Sequence, residues 1–298
     1  MSGKKQHTCA SLYGKHVAVI GGDKRLYYLY EALKEDGCFV TGYALACPTG
    51  QNESTLEESL DGSDAVILPY PLSPDGVFLN TPTERKLPLC ELFSAISQRG
   101  IRHVFAGAVK NQTKSLAEVY GLNLYDYGSD EALMLKNALC TVEGALGILI
   151  SELPITLSGS LFTVLGYGRI GRIMSQRLKA LGAEVNAVAR KSRDHAAMYI
   201  DGVRAFGYER LDAAINGAAA VINTVPAEIL DANALSGISH DTLILDLASS
   251  PGGVDREAAS RLGKHVIWAL SLPGKSAPKS AAMIIKDTVG EVLGKLPI

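Results

Sequence analysis

One segment constrains the fold more than any other, because in it an apolar strand runs directly into a glycine-rich turn. Residues 161–171 read LFTVLGYGRIG, which places Gly166, Gly168 and Gly171 in G-x-G-x-x-G spacing before a predicted helix and a second strand at 184–189. In a dinucleotide-binding turn the first glycine permits the tight turn, the second lets the backbone approach a pyrophosphate, and the third lets helix and strand pack closely. A purely structural glycine turn is the alternative. The complete strand–turn–helix–strand context favours a dinucleotide-binding domain.

The residues after the second strand bear on which dinucleotide is bound. Sites for NAD usually carry Asp or Glu about 20 residues past the glycines, bonded to the ribose 2′-hydroxyl. Here Ala189 is followed by Arg190, Lys191 and Ser192, and the next acidic residue is Asp194. Cationic groups pair with a 2′-phosphate through charge-assisted hydrogen bonds. A solvated basic loop is the alternative, but the position in the adenosine pocket favours NADP(H).

The predicted cofactor contacts lie in these two turns and in two loops further along the chain. The later loops follow predicted strands at 219–223 and 243–247, and in open parallel α/β sheets ligands bind beyond the carboxyl ends of the strands. The predicted cofactor-binding residues are Gly166, Tyr167, Gly168, Arg169, Ile170, Gly171, Arg190, Lys191, Ser192, Thr224, Val225, Pro226, Asp246, Ala248 and Ser249.

Composition narrows the class of protein. The chain has 298 residues, of which 47% are hydrophobic and 20% charged, as is usual for an α/β protein of one or two domains. A net charge of −2 gives no electrostatic reason to expect nucleic acid or an acidic membrane as a partner. Five cysteines without C-x-x-C spacing indicate reduced intracellular thiols. The polar N-terminus and the lack of an apolar run of ~18 residues predict a cytoplasmic protein without a membrane span.

Short apolar runs alternate with helical stretches, which predicts parallel sheets covered by helices on both faces. The predicted fold class is therefore α/β, with two doubly wound parallel-sheet domains, the second a Rossmann NAD(P)-binding domain. In the first half, strands are predicted at 16–22, 39–45, 65–69, 104–109 and 122–127, and helices at 25–36, 83–98 and 112–120. In the second half, strands are predicted at 162–166, 185–189, 219–223, 243–247 and 266–269, and a helix at 277–296.

A long, largely apolar helix at 129–152, ended by Pro154, is predicted to join the two domains. Residues 1–128 would form a flavodoxin-like, substrate-binding N-terminal domain. Residues 153–274 would form the Rossmann NADP-binding domain. After the sequence LPG at 272–274, a C-terminal helix within 275–298 is expected to return to the N-terminal domain.

Candidates for substrate binding and catalysis follow from the same rule about strand ends. The long helix is expected to bring Asn137 and Glu143, together with Thr141, to the floor of a cleft, and Asn137 and Glu143 are the catalytic candidates. A polar contact by Glu143, helix capping by Asp23 and simple solvation of the lysines are the alternatives. The substrate-binding candidates are Asp23, Arg25, Gly107, Asn111, Lys275 and Lys279.

The six histidines lie outside these loops. Four of them precede predicted strands, His7 is in the N-terminal tail, and His195 lies near the adenosine end of the cofactor site. A 2-hydroxyacid dehydrogenase would need a histidine near the nicotinamide, and a zinc site would need clustered ligands. The sequence therefore disfavours that dehydrogenase class and predicts no metal site.

Segments spread over nearly the full length resemble the A subunits of bacterial dipicolinate synthase. Two positions depart from that family's pattern, with Ser250 in place of Arg and Ser271 in place of Gly. The matching segments are VIGGD with Arg25, DAVILP at 64–69, FAG at 105–107, TVEG at 141–144, VLGYGRIG at 164–171, AR at 189–190, DLAS at 246–249, PGG at 251–253, LPG at 272–274 and APK at 277–279.

The resemblance implies an NADP-dependent oxidoreductase that converts dihydrodipicolinate, or its hydrated precursor from the lysine pathway, to dipicolinate for spores. It implies a small dicarboxylate substrate, a flavoprotein-like B subunit as partner, and a cytoplasmic location in the mother cell of a sporulating bacterium; a homo-oligomer is also expected. Two alternatives remain open. One is another NADP-linked dehydrogenase of the formate/glycerate dehydrogenase-like type, and the other is a non-catalytic, cofactor-binding regulatory protein.

Overall fold

The computed structural model describes residues 12–47, 55–82, 84 and 86–296. These residues divide into two compact units. The first unit contains the chain up to Asn137 and again from Ala277, and the second contains Ala138–Ser276. The first unit is therefore discontinuous in sequence, and the second is inserted into it.

The first unit is built on a five-stranded sheet whose strands are all parallel, in the order β2-β1-β3-β4-β5. Its strands are β1 (His16–Ile20), β2 (Phe39–Tyr43), β3 (Ala65–Ile67), β4 (His103–Ala106) and β5 (Asn123–Asp126). The helices between them are α1 (Lys24–Glu35), α2 (Leu56–Leu60), α3 (Leu89–Gln98) and α4 (Asn111–Val119). This strand order is the flavodoxin-like one.

Helix α5 (Glu131–Glu152) is shared, because the boundary between the two units falls within it. It begins where Asp130 Oδ1 accepts a hydrogen bond from the backbone N–H of Leu133 at 2.7 Å. By length and composition alone this described helix is apolar enough to cross a membrane, a test that a helix buried in a protein core also passes. Packing accounts for the apolar side chains, since Val142 and Leu149 lie in the core of the second unit.

The second unit is a six-stranded parallel sheet in the order β11-β10-β9-β6-β7-β8. Counted from its own first strand, this is the Rossmann order. The predicted fold class is confirmed. The strands are β6 (Leu161–Leu165), β7 (Glu184–Val188), β8 (Arg204–Phe206), β9 (Ala220–Asn223), β10 (Leu243–Asp246) and β11 (Val266–Trp268). The helices are α6 (Arg169–Ala180), α7 (Ser192–Ile200), α8 (Leu211–Ile215), α9 (Ala232–Ser236), α10 (Arg256–Arg261) and α11 (Leu272–Ser276).

Each sheet is buried on both faces, which explains why its central strands read as continuous apolar runs. In β1, Val17 and Val19 enter the core on one face, and Ala18 and Ile20 enter the core on the other. The sheet of the second unit likewise separates two apolar cores. The carboxyl ends of the strands are thereby held in a fixed row.

The last helix, α12 (Pro278–Leu293), belongs to the first unit. It begins with a proline, which suits the first turn because that position needs no N–H donor. Ile285 and Val289 lie in the same core as Leu29 and Leu33 of α1. The first and last helices of this unit thus share one core.

The structure differs from the sequence-based predictions at the start of one helix and in several short elements that were not predicted, among them the helices α2, α7, α8, α9, α10 and α11. The helix predicted at 83–98 begins only at Leu89, although residues 83 and 85 lie outside the described part of the chain. Before it, Phe78 pairs with Pro88 in an isolated bridge, so the chain takes a looped path instead. The edge strand β8 was not predicted, because three mostly exposed residues carry no apolar run. The other predicted elements agree with the structure to within three residues at each end.

Candidate functional site

In the second unit, the glycine turn lies at the point where the strand order reverses. Strands β6 and β9 are neighbours in the sheet, and the turn after β6 meets the loop after β9. Thr224 caps β6 twice, with its backbone N 3.0 Å and its hydroxyl Oγ1 2.8 Å from the carbonyl oxygen of Leu165. The Gly166 N–H donates to the Val188 carbonyl at 2.8 Å. Ligands of doubly wound sheets bind in the crevice at such a reversal point.

Each of the three positions in the turn is occupied by glycine for a different physical reason. Gly166 has φ of +90°, and a Cβ there would lie 2.6 Å from Thr224 Oγ1. A Cβ on Gly171 would lie 2.1 Å from the carbonyl oxygen of Gly166, so only glycine lets α6 approach the turn. A Cβ on Gly168 would meet nothing within 4 Å, so no described protein atom requires glycine there. The open space beside Gly168 fits a pyrophosphate that approaches the backbone closely.

The start of helix α6 adds the electrostatics of an anion site. Gly168 is its N-cap residue and, as a glycine, has no side chain to cap the first turn. The N–H groups at a helix start and the positive end of the helix dipole favour a negatively charged group at this point. The turn and the helix start therefore suit the phosphates of a dinucleotide.

The side chain of Tyr167 points away from this anion site. It is buried in the core of the second unit, and its hydroxyl donates to Asp201 Oδ2 at 2.8 Å. Burial raises the pKa of the Tyr167 phenol, and the hydrogen bond to the Asp201 carboxylate adds to this effect. Tyr167 was predicted to contact the cofactor, but only its backbone is available to a phosphate.

The basic turn after β7 is exposed at the carboxyl end of that strand. Arg190 and Lys191 form no side-chain hydrogen bond or ion pair with any other described residue. The neighbouring Arg193 instead lies 3.4 Å from the carboxylate of Asp194. Burial raises the pKa of Tyr208, and the charge of Arg190 opposes that shift, which places the guanidinium near the tyrosine ring. Among the described residues, two cations are therefore left without ion-pair partners at this turn.

The loops after β9 and β10 are braced by a buried polar cluster. Asp246 is 3% exposed, and its carboxylate accepts from Asn223 Nδ2 at 2.8 Å, from the Ala248 N–H at 3.0 Å and from the Gly253 N–H at 2.9 Å. Asn223 Nδ2 also donates to the Val225 carbonyl at 3.0 Å. The side chain of Asp246 is thereby fully engaged in shaping the two loops.

These loops leave a few of the predicted contact residues at the surface. Ser249 and Pro226 are exposed, whereas Ala248 is buried and its carbonyl accepts from the indole Nε1 of Trp268 at 3.0 Å. The guanidinium of Arg256 lies 3.4 Å from the centre of the Trp268 ring. Asn223, Trp268 and Arg256 were missed by the sequence analysis. Only Asn223 carried a usable signal, as a polar residue ending an apolar strand.

The first unit has its own polar cluster at its reversal point, between the ends of β1 and β3. Arg25 is 5% exposed and forms a two-pronged ion pair with Asp23, with Nε–Oδ1 and Nη2–Oδ2 distances of 2.9 Å. Its Nη2 also donates to the carbonyl of Tyr70, over whose ring the guanidinium lies at 5.6 Å. Asp23 in addition caps helix α1 through the Arg25 backbone N–H at 3.0 Å.

Gly107 belongs to the same cluster, since a Cβ there would lie 2.1 Å from the ring of Tyr70. Burial strongly raises the pKa of the adjacent Tyr127, whose hydroxyl donates to the Leu68 carbonyl at 2.8 Å. Asn111 is exposed at the start of α4 and is not part of these contacts. The structure thus brings Asp23, Arg25 and Gly107 together around Tyr70.

The remaining candidates are more scattered. Asn137 and Glu143 are six residues apart on α5, which turns them about 120° away from each other around the helix axis. The helix therefore aims the two side chains in different directions, and a site that uses both of them stays a prediction. Lys275 and Lys279 are exposed, and neither has an ion-pair partner among the described residues.

Two of the described histidines, His16 and His103, start their strands and so lie at the amino ends, as predicted. His195 lies on α7, close to the carboxyl end of β7, with Nε2 2.8 Å from the Ala189 carbonyl. His7 lies outside the described residues. Within the described part of the chain, no group of three His, Cys, Asp or Glu side chains could hold a metal ion.

The dinucleotide turn, the Rossmann strand order and the second parallel sheet define an NAD(P)-linked, two-domain oxidoreductase. Residues 150–252 match the NAD-binding domain of D-isomer specific 2-hydroxyacid dehydrogenases, and residues 16–128 match the N-terminal domain of the dipicolinate synthase A subunit. The dipicolinate synthase A subunit of Bacillus subtilis (strain 168) is 30% identical over 302 residues, covering 96% of this chain and 98% of that protein. The chain belongs to the family of dipicolinate synthase A subunits.

Two solved structures of that family have the same architecture. The dipicolinate synthase A subunit from Bacillus halodurans matches with a TM-score of 0.82 and 26% identity, covering 96% of this chain and 99% of that one. The A chain of dipicolinate synthase from Bacillus subtilis matches with a TM-score of 0.81 and 29% identity, covering 95% of this chain and 96% of that one.

Proposed function

We propose that this protein is the NADP-linked A subunit of a dipicolinate synthase, which oxidises dihydrodipicolinate or its hydrated precursor to dipicolinate. The observation that carries the cofactor assignment is the combination of the glycine turn with two cations, Arg190 and Lys191, that lack described ion-pair partners after β7. The substrate assignment rests on the name of relatives that match the chain nearly end to end. A role in the mother cell during sporulation and a flavoprotein-like B subunit as partner follow from the same membership.

The preference for NADPH is argued from charge. A 2′-phosphate beside Arg190 and Lys191 gains charge-assisted hydrogen bonds, each contributing about 1.5–3 kcal/mol. The next acidic residue along the chain, Asp194, is paired with Arg193 and so is engaged elsewhere than with a ribose 2′-hydroxyl. The arginine contributes more than the lysine, because its planar fork binds a phosphate through two hydrogen bonds.

The rest of the cofactor would be held by residues already placed around the reversal point. Gly168, Arg169 and Ile170 would offer backbone N–H groups to the pyrophosphate, and the loops at Thr224–Pro226 and Asp246–Ser249 would flank the nicotinamide half. The cofactor supplies the hydride acceptor when it is bound. The protein supplies position and exclusion of competing reactions.

A small dicarboxylate needs cationic or N–H partners. Arg25 is the strongest candidate, because it is buried, held rigidly by Asp23, and its Nη1 forms no hydrogen bond with any described residue. Lys275, Lys279 and the loop from Gly107 to Asn111 are further candidates. Forming an aromatic ring from a dihydropyridine is strongly downhill, so positioning matters more here than a strong catalytic base. Asn137 and Glu143 remain candidates for moving a proton.

The cofactor assignment is tested by titrating the purified protein with NADPH and with NADH. We expect roughly a hundredfold preference for NADPH, and we expect Arg190→Asp to reverse that preference because a carboxylate repels the phosphate and accepts from the hydroxyl. Arg193→Asp is the matched control, since Arg193 is already paired with Asp194. Equal affinity of the unmodified protein for both cofactors contradicts the assignment.

The substrate assignment is tested by assaying the chain with dihydrodipicolinate and with 2-hydroxy acids, each with and without the partner protein. Turnover of dihydrodipicolinate supports the proposal, and loss of that turnover in Arg25→Ala with unchanged NADPH affinity assigns the arginine to substrate binding. Rapid turnover of a 2-hydroxy acid instead would favour the other dehydrogenase class. Cofactor binding with no turnover in any combination would favour a regulatory protein.

A further inference from the structure

The carboxylate of Asp201 in the second unit accepts four hydrogen bonds from three different side chains. Asp201, the C-cap residue of α7, accepts from Tyr167 Oη at 2.8 Å and from Arg172 Nε at 2.8 Å on Oδ2. On Oδ1 it accepts from Arg172 Nη2 and from Gln176 Nε2, both at 3.2 Å. Its side chain is only 9% exposed, although both Arg172 and Gln176 are surface residues of α6.

These contacts tie Asp201 to both parts of the candidate pyrophosphate site. Tyr167 stands between Gly166 and Gly168, so the bond from its hydroxyl holds the glycine turn itself. Arg172 and Gln176 lie on α6, the helix that begins at the candidate pyrophosphate site. Without an acceptor, the buried Tyr167 hydroxyl would carry a desolvation cost.

The same carboxylate is attached to the helix that leads back to the basic turn. Helix α7 runs from Ser192 to Ile200, about 14 Å at 1.5 Å per residue, and it starts directly after Arg190 and Lys191. A second link fixes this end of α7, because Lys179 Nζ on α6 donates to the carbonyl of Gly202. Since a helix moves as a rigid body, holding its far end also holds the position of its first residues.

We propose that Asp201 is a positioning residue that sets the spacing between the pyrophosphate turn and the basic turn, and so contributes to the preference for NADPH over NADH. This inference rests on the proposed NADP-linked function. Its reasoning is geometric: the pyrophosphate of either cofactor needs only the glycine turn, whereas a 2′-phosphate must also reach Arg190 and Lys191 at a fixed distance. Loosening the link between the two turns therefore weakens the binding of NADPH more than the binding of NADH.

The variants are Asp201→Ala, which removes every acceptor, Asp201→Asn, which keeps one oxygen acceptor, and Tyr167→Phe, which removes one hydroxyl. The matched control is Glu184→Gln, which breaks an exposed ion pair with Arg204 at the amino ends of β7 and β8. For each protein, dissociation constants for NADPH and NADH are measured by fluorescence titration, with the melting temperature as a record of folding.

For Asp201→Ala we expect NADPH affinity to fall about tenfold and NADH affinity about twofold, the range reached by residues in coupled networks. Asp201→Asn and Tyr167→Phe are expected to lower the NADPH to NADH preference by smaller factors, and Glu184→Gln is expected to leave it unchanged. A lower melting temperature with an unchanged preference in Tyr167→Phe and Asp201→Asn would overturn the proposal and leave the network a purely structural role. If the unmodified protein shows no preference, the cofactor assignment itself fails, and the inference fails with it.

Discussion

Lys286 on the last helix reaches back to Asp36 at the end of the first, with 2.6 Å between Nζ and Oδ2. The side chain of Lys286 is 2% exposed, and that of Asp36 is 14% exposed. The two residues are 250 positions apart in the chain, so this ion pair joins the beginning and the end of the first unit. A buried charge of this kind is tolerated only while its partner is present.

Removing one partner of this pair should destabilise the first unit strongly. We expect Lys286→Met to lower the free energy of unfolding by about 3 kcal/mol, the lower part of the range for breaking a buried pair, because Asp36 keeps some contact with water. Denaturant unfolding followed by fluorescence measures the effect. Replacing both residues, as Lys286→Met with Asp36→Asn, should recover much of the loss, and a double variant as unstable as the single one would contradict this explanation.

Gly168 and Gly171 should respond in opposite ways to the same small change. Gly168→Ala adds a methyl group into open space, so we expect an unchanged melting temperature but NADPH affinity reduced about tenfold or more, since the methyl occupies the space of the pyrophosphate. Gly171→Ala places a methyl group 2.1 Å from the Gly166 carbonyl oxygen and should lower the melting temperature. Calorimetry and fluorescence titration of both variants separate the two effects. Full affinity in Gly168→Ala would count against a pyrophosphate at that position.

Ser271 is a non-glycine residue in the left-handed region, with φ of +59°. A Cβ in that conformation costs about 1–2 kcal/mol. We therefore expect Ser271→Gly to stabilise the protein by about 0.5–1 kcal/mol, after the greater unfolded-state entropy of glycine is allowed for. The control is Ser280→Gly within α12, which should destabilise by a similar amount because a helical site favours the residue with a Cβ. The denaturant midpoints of the two variants should shift in opposite directions, and shifts of the same sign would refute the strain argument.

Asp75 makes the stability of the first unit depend on acid pH. Its Oδ1 accepts from the Phe78 N–H at 2.9 Å and the Val77 N–H at 2.8 Å, and these hydrogen bonds lower the pKa of Asp75 to about 2. Because this pKa is lower in the folded than in the unfolded state, the carboxylate stabilises the fold above about pH 4. That contribution is lost as the pH falls towards 2.

Comparison with Asp75→Asn isolates this contribution, because the amide oxygen still accepts hydrogen bonds but does not titrate. We expect the difference in free energy of unfolding between the two proteins to be largest at about pH 5 and to shrink steadily between about pH 4 and pH 2. Urea unfolding at several pH values measures it. A difference that stays constant over this interval would assign the loss to geometry alone.

Much of the fold was predictable, because the spacing of apolar residues and the glycines that mark turns are local signals in the sequence. The strand at 161–165 and the glycines after it indicated their own structure, since only glycine satisfies the +90° φ of Gly166 and the close contact at Gly171. The short edge strand β8 gave no such signal, because an exposed strand is held by its neighbour rather than by its own apolar residues. Local patterns thus predict buried elements better than edge elements.

The site residues divide in the same way. Backbone-determined positions of the dinucleotide turn follow from spacing, and so does the basic turn after β7. Contacts between side chains that are distant in the sequence do not follow from spacing. The sequence alone gave no reason to connect Asp201 with Tyr167 or Trp268 with Ala248. For Arg25, the sequence named the residue but not its rigid pairing with Asp23, which depends on how the turn after β1 folds back.

The inserted arrangement of the two units has a consequence for the order of synthesis. On the ribosome the second unit is complete before the first, because the first still lacks α12 when Ser276 has been made. Until α12 emerges, Leu29 and Leu33 of α1 lack the apolar side chains that complete their core. The nascent chain therefore exposes the apolar face of α1 through most of its translation. A stop codon placed just before Pro278 should yield a product that depends on chaperones or aggregates.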